Sequence, residues 1–240
     1  MPSAKRLPMA GETFQLGGHD AFLIRPASPS KAPVPWVLYA PTLTGLPSEA
    51  EIWMFERFLA AGIAIAGIDV GESYGNPAGV AIYDELYEHL VHDRGLLPRP
   101  VLLARSRGGL MTLTWAAAHP ERIAAFAGIY PVCDLRSYPG LAKAAPAYGT
   151  TADGLATRLA QCNPIERLAG IVAVGVPFFA VHGDRDTLVP LAANSGALAE
   201  RVRALGGTMD LHVLPGRGHD MDLGFFRDEA LVAFVLQHAR

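Results

Sequence analysis

Short apolar runs alternate with helical patterns along the chain, and this alternation constrains the fold more than any other feature. Continuous apolar runs are typical of strands that are buried on both faces of a sheet. Helical segments between such strands predict a mostly parallel sheet that is covered by helices, which is an α/β architecture. Eight strands are predicted, at residues 14–16, 21–24, 36–39, 63–68, 100–103, 124–129, 178–181 and 209–213.

Residues with known end preferences mark the helices. Ser48, with Glu51 three residues later, forms a capping box that predicts a helix start, and Gly62 marks the end of that helix. Further helices are predicted at residues 80–91, 106–119, 191–205 and 225–238, with a weak one at 155–161.

Residues 132–171 break this alternation. They are rich in Pro, Gly and Ala and follow a predicted strand, where an insertion can form a small cap over the edge of a sheet. We therefore predict one domain, residues 1–240, in which residues 132–171 form a cap-like insertion.

Composition and charge exclude several classes of function. Half of the 240 residues are hydrophobic and 18% are charged, so the chain can bury a sizeable core. The formal net charge is -3 and no run of Lys or Arg occurs, so we expect neither nucleic acids nor membranes as partners. No apolar stretch approaches the roughly 18 residues that cross a bilayer. Lys5 and Arg6 are not followed by the apolar core of a signal peptide, so we expect a cytoplasmic protein, and a secreted protein whose signal peptide has been removed is the alternative.

Two cysteines, Cys133 and Cys162, are too few to indicate a disulfide framework. We expect two reduced thiols, and a disulfide that closes the loop between them is the alternative.

The strongest chemical signal lies at residues 101–110, where an apolar strand runs into Arg-Ser106-Arg-Gly-Gly and then into a helix. A serine at a tight strand-to-helix turn holds its Oγ exposed above the sheet, and small residues are needed where the chain folds back. The same turn places the backbone N–H of Arg107 near the start of the helix, where it can stabilise an oxyanion. These features predict that Ser106 is a nucleophile.

This segment resembles the G-x-S-x-G nucleophile elbow of the α/β-hydrolase superfamily, with Ala104 in place of the first glycine. The resemblance implies an α/β-hydrolase fold for nearly the whole chain.

Two later segments resemble other signatures of this superfamily. Residues 182–190 are similar to H-G-x-x-D-x-x-V-P, in which the last acidic residue orients the catalytic histidine; that residue is Asp186, and Asp184 is the nearby alternative. A glycine-rich loop after the last strand contains His219. The chain order Ser106, Asp186, His219 is that of the superfamily, so the resemblance implies a catalytic triad of these residues.

The residue types define the expected mechanism. A serine hydroxyl is a weak nucleophile and needs a base within hydrogen-bond reach. His219 would take its proton and deliver it to the leaving group, while Asp186 would fix the tautomer of the imidazole and stabilise its cation. An acyl-serine intermediate follows, and we expect no cofactor and no metal. His89 and His92 lack the H-E-x-x-H pattern, so a metal there is not expected.

The second oxyanion donor is expected in the loop after residues 36–39. The candidates are the backbone N–H groups of Thr42 and Leu43, of which we favour Leu43. The guanidinium of Arg107 could also extend toward the oxyanion or a substrate oxygen.

Four residues are candidates for substrate binding, namely Arg105, Glu72, Ser73 and Tyr74. The last three follow a strand at the sheet edge where ligands bind in folds of this type. Arg105 either lines the pocket or pairs with Glu72 or Asp69. No G-x-G-x-x-G follows that strand, so a dinucleotide site is not indicated.

The segments Gly-Glu-Ser-Tyr-Gly, Ala-Arg-Ser-Arg-Gly-Gly and Gly-Ile-Tyr-Pro-Val-Cys together resemble bacterial acetyl-xylan-esterase-like and other carbohydrate esterases. This closer resemblance implies a carboxylic ester hydrolase whose substrate is a small-molecule or saccharide ester with a short acyl group. The assembly that we consider for this chain is a homodimer.

Two alternatives are an enzyme with another substrate and a protein of a different class. A serine peptidase of the prolyl-oligopeptidase type shares this fold, and the absence of a propeller or other gating domain counts against it. A non-catalytic ligand-binding member of the fold would be favoured by the loss of a triad residue, and none is lost here.

Overall fold

The computed structural model of the protein describes residues 5–27 and 33–240. Within these residues the chain forms an eight-stranded sheet with the order β1-β2-β4-β3-β5-β6-β7-β8. Its strands are β1 (Glu12–Leu16), β2 (His19–Ile24), β3 (Trp36–Tyr39), β4 (Ala64–Ile68), β5 (Val101–Arg105), β6 (Ala125–Ile129), β7 (Phe178–Gly183) and β8 (Met209–Leu214). Strands β3 to β8 run parallel to one another, whereas β2 pairs antiparallel with both β1 and β4. The predicted mostly parallel sheet and its eight strands are confirmed.

The helices of the described chain are α1 (Ile52–Ala60), α2 (Pro77–Glu88), α3 (Gly108–Ala118), α4 (Leu141–Ala144), α5 (Ala152–Ala156), α6 (Leu159–Cys162), α7 (Leu168–Ala173), α8 (Ser195–Ala204), α9 (Leu223–Phe226) and α10 (Glu229–His238). Several short 3-10 turns join them.

Both faces of the sheet are covered, which explains why its central strands are apolar without alternation. Leu102 and Ala104 of β5 belong to a core shared with α2, α3, α7 and α8. Val101 and Leu103 belong to the opposite core, shared with α1 and α10. Because side chains alternate along a strand, each strand contributes to both cores.

Side-chain caps determine where the first helices begin. The Ser48–Glu51 capping box is present and precedes α1 through one 3-10 turn. The helix predicted at residues 80–91 begins earlier, because the Asn76 side chain accepts a hydrogen bond from the Gly79 N–H at 2.8 Å and Pro77 occupies the first turn.

Two later helices are shorter than predicted for similar reasons. The helix expected from residue 191 starts at Ser195, because Asn194 departs from helical geometry with a φ of -122° and a ψ of -97°. Its buried side chain accepts hydrogen bonds from Cys133 N–H at 2.9 Å and the Ser137 hydroxyl at 3.0 Å. The helix expected over 225–238 is divided into α9 and α10, because Asp228 caps α10.

Residues 132–171 lie between β6 and β7 and contain α4, α5, α6 and the start of α7. The weak helix predicted at 155–161 is divided between α5 and α6, because Arg158 departs from helical geometry with a ψ of 8°. The assignment of one domain with a cap-like insertion stays a prediction. Cys133 and Cys162 are both free and buried, so the structure contains the predicted thiols and not the alternative disulfide. No helix in the described part of the chain is long and apolar enough to cross a membrane.

The packing around Gly67 gives a stability prediction. A Cβ at this position in β4 would lie 2.3 Å from the carbonyl oxygen of Tyr39 and 2.7 Å from the ring of Phe22. We expect Gly67→Ala to lower the free energy of unfolding by about 1–3 kcal/mol, as overpacking of a core does. Gly170→Ala is the matched control, since its Cβ would meet only Pro120 at 3.8 Å within α7. Urea denaturation of both variants tests this, and equal stability would contradict the packing described.

Candidate functional site

Ser106 lies in the turn between β5 and α3, at the carboxyl edge of the parallel strands. Its φ of 52° is in the left-handed region, and such a conformation is strained for a residue with a Cβ. Two backbone hydrogen bonds hold the turn: Ser106 N–H donates to Ile129 O at 3.0 Å, and Val132 N–H donates to Ser106 O at 2.8 Å. Gly109 is required by the close approach of the next loop, since a Cβ there would lie 2.4 Å from Val132 O.

The structure brings Ser106, His219 and Asp186 together in one hydrogen-bonded relay. The Ser106 hydroxyl lies 2.9 Å from His219 Nε2, and His219 Nδ1 lies 2.7 Å from Asp186 Oδ2. Since an ionised carboxylate can only accept, Nδ1 carries the proton and Nε2 accepts from the serine hydroxyl. Backbone N–H groups of Leu188 and Val189 donate to Asp186 Oδ1 at 3.0 and 2.7 Å. The acidic side chain is fully buried and held in place, so it can orient the imidazole.

His182 supports the loop that carries Asp186, and sequence reasoning did not predict this role. Its Nε2 donates to Val189 O at 2.8 Å, and the Ser195 hydroxyl therefore donates to Nδ1, also at 2.8 Å. The side chain is fully buried, and burial lowers the pKa of His182 below its ordinary value. A neutral imidazole thus joins the end of β7 to residues 189 and 195, which follow Asp186 in the chain.

Tyr130 is a second residue that sequence reasoning missed. Its ring centroid lies 4.3 Å from that of His219, so the two side chains are packed together. The residue follows β6 and has a φ of 36°, also in the left-handed region. Burial raises the pKa of Tyr130 to about 12. The phenol therefore packs as a neutral group against one side of the imidazole.

The predicted oxyanion donors lie on two loops beside Ser106. Within the described residues, the backbone N–H groups of Arg107, Thr42 and Leu43 make no hydrogen bond. Arg107 immediately precedes α3, whose N-terminus carries partial positive charge. Thr42, Leu43 and Arg107 also line the cleft that contains Ser106. Donors without an intramolecular partner are therefore available to a developing oxyanion.

Arg105 lines the cleft. The alternative prediction, that it pairs with Glu72 or Asp69, is wrong. Its Nη1 lies 3.0 Å from Oε1 of the fully buried Glu51. Val101, Leu103 and Arg105 occupy alternate positions of β5, so the arginine lies on the α1 side of the sheet. Glu51, which completes the capping box, is thus also the carboxylate partner of Arg105.

Glu72, Ser73 and Tyr74 were predicted to line the substrate pocket, and in the described structure none of them lines the Ser106 cleft. Glu72 instead pairs with Arg107 at 3.0 Å. The buried Ser73 hydroxyl accepts a long hydrogen bond from Gly75 N–H at 3.4 Å. Burial, together with a hydrogen bond to Glu72, raises the pKa of Tyr74 to about 12. These residues support the loop after β4 rather than the cleft wall.

The Ser106 cleft has a volume of about 220 Å³ and is open to solvent. Three of its wall residues are large apolar side chains that are at least half exposed, namely Leu43, Leu188 and Met221. They come from the three loops that follow β3, β7 and β8. The polar wall includes Arg105, Arg107, Tyr138 and Asp220.

Residues 99–239, more than half of the chain, match the model of the prolyl oligopeptidase family. No curated protein sequence matches the chain.

Solved structures give the fold. A puromycin-hydrolysing peptidase of Mycobacterium tuberculosis is 17% identical, with a TM-score of 0.75 over 95% of this chain and 40% of its own. Acylaminoacyl peptidase of Pyrococcus horikoshii is 14% identical, with a TM-score of 0.75 over 96% of this chain and 42% of its own. The chain therefore spans about two fifths of the length of these peptidases. Est1E of Butyrivibrio proteoclasticus is 19% identical, with a TM-score of 0.71 over 96% of this chain and 99% of its own. These similarities confirm the predicted α/β-hydrolase fold.

The positive φ of Ser106 gives a second stability prediction. Both Ser106→Gly and Ser106→Ala remove the hydroxyl, but only alanine keeps a Cβ in the left-handed region. We expect the free energy of unfolding to be about 1 kcal/mol higher for the glycine variant than for the alanine variant. Chemical denaturation of the pair measures this difference, and a more stable alanine variant would contradict the strained turn.

The buried His182 predicts a pH dependence of stability. Its folded pKa is lowered, so below the unfolded value of about 6.5 the unfolded chain binds a proton that the folded chain does not. Stability should therefore fall as the pH drops below about 6.5. We expect His182→Gln to show a shallower decline between pH 7 and 5 in urea denaturation. If stability falls equally steeply with pH in the wild type and in His182→Gln, the prediction is wrong, because His182 would then be protonated in the folded state as well.

Proposed function

Since the chain belongs to the prolyl oligopeptidase family of serine hydrolases, we propose that Ser106, His219 and Asp186 are its catalytic triad. The observation that carries this proposal is the continuous relay from Ser106 Oγ through the imidazole to the buried carboxylate, at 2.9 and 2.7 Å. Both distances lie within the range of ordinary hydrogen bonds.

The proposed reaction has two steps. His219 Nε2 takes the proton of Ser106 as Oγ attacks the acyl carbon, and the imidazolium is stabilised by Asp186. The tetrahedral oxyanion accepts hydrogen bonds from Arg107 N–H and from the loop after β3, where we favour Leu43 N–H. His219 then protonates the leaving group, and water hydrolyses the acyl-serine by the same sequence of proton transfers.

We propose a carboxylic ester with a short acyl group as the substrate. The cleft of about 220 Å³ is small, and its wall combines apolar side chains with arginine and tyrosine. This composition suits an acyl group together with a polar alcohol such as a sugar. The similarity to Est1E, an esterase that this chain matches over nearly its full length, supports the ester.

A peptidase is the second candidate. It is supported by the prolyl oligopeptidase family match and by structural neighbours that are named as peptidases. The two candidates share the acyl-serine chemistry and differ in the leaving group, which is an alcohol from an ester and an amine from a peptide.

Active-site labelling and turnover test this function together. We expect an organophosphonate to label the wild-type protein at Ser106, and Ser106→Ala to lose on the order of 10⁴-fold or more in kcat/KM. Wild-type protein that takes no label, or full activity in Ser106→Ala, would refute the proposed triad.

A substrate panel separates the candidates. It contains acetyl, butyryl and octanoyl aryl esters, acetylated sugars, uronate methyl esters and aminoacyl anilides. Preference for acetyl esters and acetylated sugars supports the short-acyl proposal. Preference for octanoyl esters contradicts it, and efficient cleavage of anilides favours the peptidase.

A further inference from the structure

The side chain of Arg107 connects three loops to the turn that holds the nucleophile. Nη2 donates to the carbonyl oxygen of Thr42 at 2.7 Å and lies 3.0 Å from Glu72 Oε1, while Nη1 lies 3.5 Å from the Tyr138 hydroxyl. Thr42 follows β3, Glu72 follows β4, and Tyr138 belongs to the insertion at residues 132–171. The Arg107 side chain is only 15% exposed, whereas its partner Glu72 is 52% exposed, so the pair lies at the boundary with solvent.

The contact with Thr42 constrains the neighbouring peptide group. Among the described residues, cis peptide bonds occur only before Pro47 and Pro139, so the Thr42–Leu43 peptide is trans. In a trans peptide the C=O and the N–H point in opposite directions. Because the Thr42 carbonyl oxygen accepts a hydrogen bond from the Arg107 guanidinium, the Leu43 N–H points away from that guanidinium. Leu43 lines the same cleft as Ser106, and a rotated peptide would turn a carbonyl oxygen toward the side on which this N–H lies; a carbonyl oxygen facing an oxyanion would repel it.

We propose that Arg107 is a positioning residue that sets the direction of the second oxyanion donor. This inference rests on the proposed function, because an oxyanion forms only if Ser106 attacks an acyl carbon. One residue thereby serves both donors: its backbone N–H is the first, and its guanidinium orients the peptide that contains the second. The spacing between the donors then depends on a single side chain.

The surroundings of the guanidinium argue against a role in binding a substrate anion. Glu72 lies on the same nitrogen that holds Thr42 O, so its carboxylate balances the positive charge. Glu72 also forms a hydrogen bond with Tyr74, whose backbone carbonyl accepts a hydrogen bond from the Tyr148 hydroxyl at 2.9 Å. The guanidinium is thus held by groups that are themselves anchored, and the charge that it presents to the cleft is already paired.

Kinetics of Arg107→Gln and Arg107→Lys test the proposal. With an aryl ester substrate, we expect Arg107→Gln to lower kcat by about 10- to 100-fold, as misplacement of a catalytic group does, while KM changes little. A trifluoromethyl ketone, which forms a hemiketal oxyanion on the serine, should bind more weakly by a similar factor. Arg107→Lys should be intermediate, because its ammonium can contact Thr42 and Glu72 but lacks the planar guanidinium and the second terminal nitrogen that lies near the Tyr138 hydroxyl.

The control is Arg122→Gln, which removes an arginine paired with Glu88 at 2.9 Å on the surface. We expect wild-type kcat and ketone affinity for this control. The proposal is overturned if Arg107→Gln keeps the wild-type kcat and ketone affinity, or if it raises KM alone, which would identify a substrate-binding group. Organophosphonate labelling of the wild type distinguishes failure of the proposed function from failure of the role of Arg107. If Ser106 takes no label, the proposed function fails and this inference fails with it. If Ser106 is labelled and the kinetics of Arg107→Gln are unchanged, only the positioning role is refuted.

Discussion

The turn at Ser106 is the constraint on which the rest of the site depends. A β-strand of the central sheet ends there and a helix begins within two residues, which forces a left-handed backbone at a residue with a side chain. Hydrogen bonds to Ile129 and Val132 and the glycine at position 109 hold this conformation. The turn projects Oγ toward the loops after β7 and β8, and it leaves the Arg107 N–H at the start of α3. The geometry of the proposed catalytic site thus follows from how one strand is joined to one helix.

Buried polar groups around this turn convert a loop-built site into a rigid one. Glu51 accepts hydrogen bonds from Arg105 at 3.0 Å and from the Tyr39 hydroxyl at 3.0 Å while also closing the cap of the first helical turn. Burial, and then the adjacent Glu51 carboxylate, raise the pKa of Tyr39 well above its ordinary value, so the phenol remains a donor. On the other side of the relay, neutral His182 fixes the segment around Asp186. Polar groups placed in an apolar core in this way must be fully paired, and such pairing favours one arrangement of the loops.

Sequence reasoning succeeded where the signal was local and failed where it was long-range. Apolar, β-rich runs, several of them continuous, predicted all eight strands, and short motifs placed Ser106, Asp186 and His219 on loops that the structure brings together. Of the two alternatives for Arg105, the pairing with Glu72 or Asp69 was wrong, because Glu51 lies 54 residues away and its capping role concealed its second contact. Alternation along β5 places Arg105 on the α1 side, where Glu51 lies. Tyr130 was missed since its contact with His219 depends on a positive φ, which no local pattern revealed.

Trapping of the acyl intermediate would show directly whether Ser106 is the nucleophile. The protein is mixed rapidly with an aryl acetate, quenched in acid during turnover, digested and mapped by mass spectrometry. We expect one acetyl group, bound to Ser106, at a level that rises when deacylation is slowed. Turnover with no acetyl-enzyme, or an acetyl group on another residue while Ser106 stays free, would rule out Ser106 as the nucleophile.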